Sequence, residues 1–339
     1  MITLGVMIQE NVSLKPYNTF GVEASTKFFA EATSLGELEE ILAWYREQND
    51  CPLLVLGGGS NLLFTRDWKG LVLKVSLTGC RVEGDMAIAA AGEDWHSFVL
   101  WTLEKKIFGL ENLSLIPGQV GTAPMQNIGA YGVEIKDVFE SLKAININSG
   151  KTKIFSLDEC EFGYRESVFK HKEKGNWIIT EVSFKLSKTP QVKVEYGTIK
   201  TTLEAHNIKN PTPQQVGQAV TAIRESKLPN PNDLGSAGSF FKNPVVAAEL
   251  LQKIKTDYPE VPHYKVADKQ FKLPAGWLID QSGWKGHTRD NHGVHKHQAL
   301  VLVNYGGATG EDILTLAKDI QQSVAKKFDI ILKPEVNII

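Results

Sequence analysis

Leu38, Ile41, Leu42 and Tyr45 fall on one face at helical spacing, and Ser34 with Glu37 makes a capping box, so a helix is predicted over 35–48. A short apolar run at 52–56 follows and reads as a strand that stops at Gly57, Gly58, Gly59, Ser60 and Asn61. Leu71, Leu73, Val75 and Leu77 alternate as a half-buried strand does. Asp94 is placed to cap a second helix with the apolar face Trp95, Phe98, Val99, Thr102 and Leu103, ending near Gly109. Strands are predicted at 138–147 and at 177–186, the latter alternating Ile178, Thr180, Val182, Phe184 and Leu186. A linker is expected near 187–190. Thr212, Pro213 and Gln215 then open a helix that buries Val216, Ala219, Val220 and Ile223. A helical stretch at 246–255 and a strand at 299–304 come next. Thr309 and Asp312 box a helix carrying Ile313, Ala317, Ile320 and Val324, and a terminal strand is predicted to begin with Ile330 to Leu332.

Two long polar segments, 112–132 and 230–244, interrupt these elements, and loops of that length inside compact domains are usually functional. In 117–132 the spacing of glycine and proline forbids a helix, while Thr122, Gln126 and Asn127 offer neutral hydrogen-bonding groups. Such a stretch can wrap a planar cofactor or form a well-ordered surface loop. The glycines at 57–59 leave backbone N–H groups open to a phosphate, or make a plain tight turn. No Gly-Lys-Ser/Thr follows, and Leu62 stands where a dinucleotide fingerprint has its third glycine.

The 339 residues are 42% hydrophobic and 22% charged, enough material for two or three domains. A formal charge of -2 gives no electrostatic reason to bind nucleic acid or an anionic membrane. Three cysteines, Cys51, Cys80 and Cys160, suit neither a disulfide framework nor a paired-ligand zinc site, which favours a reducing compartment. The opening segment MITLGVMIQENV lacks the pattern of a secretory signal, and no apolar run approaches spanning length, so a cytoplasmic location is expected.

Single residues taken alone say little. Arg165, in Tyr164-Arg165-Glu166-Ser167, and Glu335 read first as surface charges. Ser239 is outside the G-x-S-x-G elbow, because Phe241 occupies the last position. His292, His295 and His297 match no metal-binding spacing and read as solvated or hydrogen-bonded imidazoles. Trp95 and Trp101 belong to a packed helix.

In order along the chain stand Asn18-Thr19-Phe20, LGGGSNLLF at 56–64, IPGQVGTAPMQNIGAYG at 116–132, GYRESVFK at 163–170, GSAGSFFKNP at 235–244 and LKPEV at 332–336. Together they resemble the UDP-N-acetylenolpyruvoylglucosamine reductase family over nearly the whole chain. Val194-Glu195-Tyr196-Gly197 resembles the longer subtype of that family, which has an extra tyrosine-bearing loop over the substrate.

The resemblance implies an α+β fold: a two-lobed FAD-binding domain of the vanillyl-alcohol-oxidase type over 1–189, with lobes near 1–78 and 79–189 and FAD between them, then an α+β substrate-binding domain over 190–339. Gly57, Gly58, Gly59, Ser60 and Asn61 match the pyrophosphate loop, and Pro117, Gly118, Gly121, Thr122, Asn127 and Gly129 the second FAD-binding stretch. Tyr131, Tyr196, Lys227, Asn243 and Tyr264 match substrate contacts. Arg165 and Glu335 match the groups that stabilise the anion formed on hydride transfer, and Ser239 the proton donor. The implied reaction passes hydride from NADPH through non-covalent FAD to a UDP-sugar enolpyruvyl ether in peptidoglycan synthesis, in a monomer with no nucleic-acid or membrane partner and no metal. Asn337 departs from the pattern, since the family often has arginine there. A covalent flavin oxidase of the same superfamily is a rival reading, but no His or Cys lies in 57–61 or 117–132. A non-catalytic nucleotide-sugar binder is another, and would leave Arg165, Ser239 and Glu335 without a task.

Overall fold

A computed structural model describes residues 7–339. The first residues of the opening segment read for a leader lie outside the described residues. The chain divides into two compact units. One comprises residues up to Val12, Thr26–Gly58 and Trp68–Ser226; the other comprises Ser13–Ser25, Gly59–Asp67 and Lys227–Ile339.

The first unit holds two sheets, each with its own core. A four-stranded sheet runs in the order Gln9–Ser13, Ser25–Ala32, Trp68–Val75, Leu53–Leu56. Its last three strands are parallel. Helix Leu35–Arg46 connects Ser25–Ala32 to Leu53–Leu56 and buries Leu38, Ile41 and Leu42. Its box is formed: Glu37 N donates to Ser34 Oγ at 3.2 Å and Ser34 N to Glu37 Oε2 at 3.2 Å. Strand Trp68–Val75 differs from the half-buried expectation: Leu71, Val72 and Leu73 are all buried, because a central parallel strand is covered on both faces.

The other sheet is antiparallel, in the order Thr152–Ser156, Phe139–Asn146, Trp177–Lys185, Met86–Ala90, Cys80–Glu83. Ile178, Thr180, Val182, Phe184 and Leu186 are buried, as their alternation predicts. Helix Trp95–Glu104 is capped by Asp94, whose Oδ1 accepts from Ser97 N at 2.8 Å, and buries all five residues of the expected face. Helices Gly197–Ala205 and Pro213–Lys227 share a small core of Ile199, Leu203, Val216, Val220 and Ile223.

In the second unit a four-stranded antiparallel sheet runs Gly235–Ser239, Val301–Asn304, His292–Val294, Thr288–Arg289. Helix Gly310–Phe328, boxed by Thr309 and Asp312, lies against it with Ile313, Ala317, Ile320 and Val324 buried. The strand expected to begin at 330–332 is irregular there. The chain pairs only afterwards, as Asn337–Ile338 joins Leu62–Leu63 in parallel. Leu332 is buried without a ladder, so an apolar pair read from sequence marked packing there rather than pairing.

Candidate active site

The glycines at 57 and 58 meet the second glycine-rich stretch inside the first unit. A Cβ on Gly57 would sit 2.6 Å from Thr122 Cγ2 and 2.8 Å from Gln119 Oε1, and one on Gly58 would approach Gly118 Cα at 3.5 Å. Backbone therefore approaches backbone where side chains would block it. The second stretch is fixed by its own bonds to 91–95: Gly121 N donates to Ala91 O at 2.8 Å, Val120 N to Glu93 O at 2.9 Å and Trp95 N to Gly118 O at 3.0 Å. No α-helix forms over 117–132, as the sequence requires, but two short 3-10 turns do, at Val120–Thr122 and Pro124–Gln126. Thr122 Oγ1 donates to Gln119 O at 2.8 Å and closes the first turn. In the second unit Gly59 is left-handed at φ 63°, with Tyr17 O only 2.0 Å from where its Cβ would stand. Thr19 N donates to Gly59 O at 3.1 Å, so the Asn18-Thr19-Phe20 motif buttresses the loop.

This cradle fits the pyrophosphate and ring of a dinucleotide cofactor: a glycine surface free of Cβ atoms faces a rigid, neutral, hydrogen-bonded stretch. Asn127 is buried and left-handed at φ 43°, and its amide is committed within the protein, donating to Glu134 Oε2 and Gly163 O at 3.0 Å each. It shapes the loop rather than offering its side chain to a ligand.

Arg165 is half-buried and left-handed at φ 56°, in a turn closed by bonds between Gly163 and Glu166. Its Nη2 donates to Gly129 O at 2.6 Å and its Nη1 to Asn127 O at 3.5 Å, so the guanidinium is braced against the second glycine-rich stretch. Tyr131 is left-handed too, at φ 50°, and Tyr196 stands edge-on to its ring at 5.5 Å. These two tyrosines, with Gly132, Val192, Lys193 and Glu195, line a cavity of about 410 Å³. Asn112, not predicted from sequence, ties its rim by donating to Tyr131 O at 3.1 Å and Lys193 O at 2.8 Å.

In the second unit the structure brings Ser239 and Glu335 together. Ser239 ends strand Gly235–Ser239, after a register shift against Val301–Asn304 and a left-handed Gly238 at φ 66°. The next residues pair with the C-terminal segment: Glu335 N donates to Phe240 O at 2.8 Å and Lys242 N to Lys333 O at 2.9 Å. Phe240 and Phe241 are both buried, their rings 5.1 Å apart. Asn243 Oδ1 accepts from Ala275 N at 2.8 Å and so caps helix Ala275–Gln281. Tyr264 opens strand Tyr264–Ala267 and is exposed, while Lys227 is the last residue of helix Pro213–Lys227. Asn337, at the family's frequent arginine position, donates from Nδ2 to Asn61 O at 2.9 Å, and Asn61 Nδ2 donates to Glu335 O at 3.4 Å.

The histidines meet the expectation in part: His297 is exposed, and His292 Nδ1 lies 3.2 Å from Asn291 Oδ1. His292 and His295 are buried, and among the described residues His292 Nε2 and His295 Nδ1 have no hydrogen-bond partner. Burial pushes both imidazoles below their ordinary range. His292 opens strand His292–Val294 and His295 directly follows it, both largely shielded from solvent.

A family model described as the UDP-N-acetylenolpyruvoylglucosamine reductase C-terminal domain matches residues 230–339, and one described as an FAD binding domain matches residues 26–156. A protein named UDP-N-acetylenolpyruvoylglucosamine reductase from Pseudomonas syringae pv. syringae is 51% identical over 99% of this chain and 100% of its own. Its namesake from Flavobacterium johnsoniae is 50% identical over 98% of this chain and 99% of its own. The crystal structure of UDP-N-acetylenolpyruvylglucosamine reductase from Thermus caldophilus shares the fold, with a TM-score of 0.70 at 24% identity over 98% of this chain and 99% of that one. Identity of about half over full length, on the motifs and the glycine cradle described above, places this chain in the UDP-N-acetylenolpyruvoylglucosamine reductase family.

Proposed function

We propose that this chain reduces the enolpyruvyl group of UDP-N-acetylglucosamine enolpyruvate to give UDP-N-acetylmuramate for peptidoglycan synthesis, with Arg165, Ser239 and Glu335 as catalytic residues. The observation that carries the reading is the match of about 50% identity along the entire chain to proteins of that name. FAD, held by the residues named below, would supply the two-electron redox chemistry, with NADPH as the source of the hydride.

The chain's own residues do the rest. Hydride arriving at the vinyl terminus leaves negative charge on the carbon beside the carboxylate, spread into that carboxylate as an enediolate. Arg165 brings a planar cation whose fork matches a carboxylate, and its bonds to the carbonyls of Asn127 and Gly129 keep it oriented. Glu335 brings an acid group held by backbone pairing to Phe240. Ser239 delivers a proton to the same carbon. A hydroxyl is a weak acid in water, and the buried Phe240 and Phe241 beside it exclude solvent.

Gly57, Gly58, Gly59, Ser60 and Asn61 take the cofactor's pyrophosphate, and Pro117, Gly118, Gly121, Thr122, Asn127 and Gly129 build the second wall of its site. Tyr131, Tyr196, Lys227, Asn243 and Tyr264 contact the UDP-sugar. On this reading the work is shared between an FAD-binding part, 1–189, and a substrate-binding part, 190–339. The setting is the cytoplasm, where the three cysteines stay as the free thiols they are here.

Product analysis tests the reading. Purified protein given NADPH and UDP-N-acetylglucosamine enolpyruvate is expected to yield a nucleotide sugar heavier by two hydrogens, with NADPH consumed in equal amount. Unchanged substrate beside a flavin that NADPH reduces would refute the substrate assignment.

A further inference from the structure

Arg224 lies on helix Pro213–Lys227 one turn after Val220 and two after Val216, both buried, so a guanidinium occupies the apolar stripe of that helix. Its Nε donates to Leu115 O at 3.1 Å, and its charge acts on the Tyr131 phenol, whose ring packs against the apolar stripe of the same helix. Among the described residues no carboxylate pairs with it. The charges within its reach have the same sign: it interacts with Arg165, and its field opposes protonation of His96, whose Nδ1 accepts from Leu115 N at 3.0 Å. Burial lowers the proton affinity of Arg224 and raises the Tyr131 phenol above its ordinary range, and the guanidinium is charged regardless.

The backbone around this cation is unusual. Leu115 at φ 58°, Tyr131 at φ 50° and Arg165 at φ 56° are all left-handed without being glycine. Each is bonded to Arg224 or acts on it electrostatically. Such conformations are disfavoured for bulky side chains and gather where a site overrides local preference. A desolvated cation set beside a second cation, and braced by strained backbone, is an arrangement that an anionic ligand stabilises.

We propose that Arg224 is a positioning residue for recognition of the substrate's carboxylate: it sets a positive charge beside the Tyr131 ring packed on its helix and near Arg165, which on the substrate reading meets the carboxylate. The inference rests on the substrate reading above. Two guanidiniums would also suit a diphosphate, and the substrate carries both groups. UDP-N-acetylglucosamine carries the diphosphate alone, which separates the two.

Oxidised flavoprotein is titrated with each ligand and followed by perturbation of the flavin spectrum. In Arg224→Met the enolpyruvate ligand is expected to bind about tenfold more weakly, while UDP-N-acetylglucosamine changes by less than about twofold. Arg224→Lys keeps the charge without the Nε fork, and is expected to recover part of the loss. Tyr131→Phe keeps the ring against Tyr196 and loses the hydroxyl, so a smaller loss, again confined to the carboxylate ligand, is expected. Should Arg224→Met fail to fold with flavin, the Lys and Phe variants decide the matter by the same ratio. Equal weakening of both ligands, or no change in their ratio, overturns the proposal. Failure of the unsubstituted protein to bind the enolpyruvate ligand instead overturns the substrate reading, and this inference with it.

Discussion

The backbone N–H of Glu335 donates to the carbonyl of Phe240 at 2.8 Å, which fixes a C-terminal carboxylate beside the residue that follows Ser239. Two groups 96 positions apart in the chain are thereby held on adjoining segments by backbone pairing. Substituting either side chain leaves that backbone pairing available. Glu335→Gln is expected to slow reoxidation of reduced flavin by substrate about a hundredfold or more, while NADPH still reduces the flavin at a normal rate. Ser239→Ala is expected to lose about a hundredfold at the proton-transfer step. Stopped-flow records of each half-reaction separate these outcomes, and near-normal turnover of Ser239→Ala would remove it as the donor.

Two glycines of the cradle should fail in different ways. A Cβ on Gly121 would lie 2.4 Å from Ala91 Cβ and 2.9 Å from its Cα, a clash with backbone that no rotamer relieves. Gly121→Ala is therefore expected to cost about 1–3 kcal/mol of stability, seen as a lower denaturation midpoint in flavin-free protein. Gly57→Ala meets only the ends of the Thr122 and Gln119 side chains, which can shift into the space a cofactor needs. Its expected signature is faster loss of flavin on dilution, with the flavin-free midpoint little changed.

Asn337 clamps the Gly59–Asp67 segment to the C-terminus through its Nδ2 bond to Asn61 O, beside the backbone bond from Asn337 N to the same oxygen at 3.1 Å. The side chain is exposed, so Asn337→Ala is expected to cost no more than about 0.5–1.5 kcal/mol in urea denaturation. A larger loss would mean that the clamp organises more than one strand pair.

His292 and His295 give the protein an acid-sensitive core. Burial is the main cause that lowers both. At His292, Asp312 and Asp290 favour the charged form, while Arg289 and His287 oppose it; at His295, His297 and Lys296 oppose it. The unfolded chain, with imidazoles near ~6.5, binds more protons than the folded one below that pH. Stability from this source is thus complete above the unfolded value and falls as pH drops through it toward the lowered folded values. Denaturant midpoints measured across this range are expected to decline, and His292→Gln with His295→Gln should flatten the decline. An unchanged slope in the double variant would assign the acid sensitivity elsewhere.

Periodicity located the regular elements because caps and apolar faces are local: Ser34 with Glu37, Asp94 and Thr309 with Asp312 all cap as read. It misjudged strand Trp68–Val75, where neighbours in the sheet cover both faces, and residues 330–332, where burial does not bring pairing. The glycine loops announced a close approach but not to what, since Gly57 meets Gln119 and Thr122 only through the fold. Arg224 and Asn112 escaped notice. Arg224 did leave a trace, a charge at helical spacing from Val216 and Val220, whereas Asn112 acts through two carbonyls that sequence gives no reason to bring together. His297 is exposed and His292 hydrogen-bonded, as read, whereas the burial of His295 was not legible, because exposure is a tertiary property that spacing does not reveal.

The most direct test of the whole account is the visible spectrum of the purified protein under anaerobic conditions, recorded alone, after NADPH, and after UDP-N-acetylglucosamine enolpyruvate. Flavin absorption is expected to bleach with NADPH and to return in full when that substrate is added. A protein that binds no FAD on reconstitution, or whose bleached flavin stays bleached in the presence of the substrate, would contradict it.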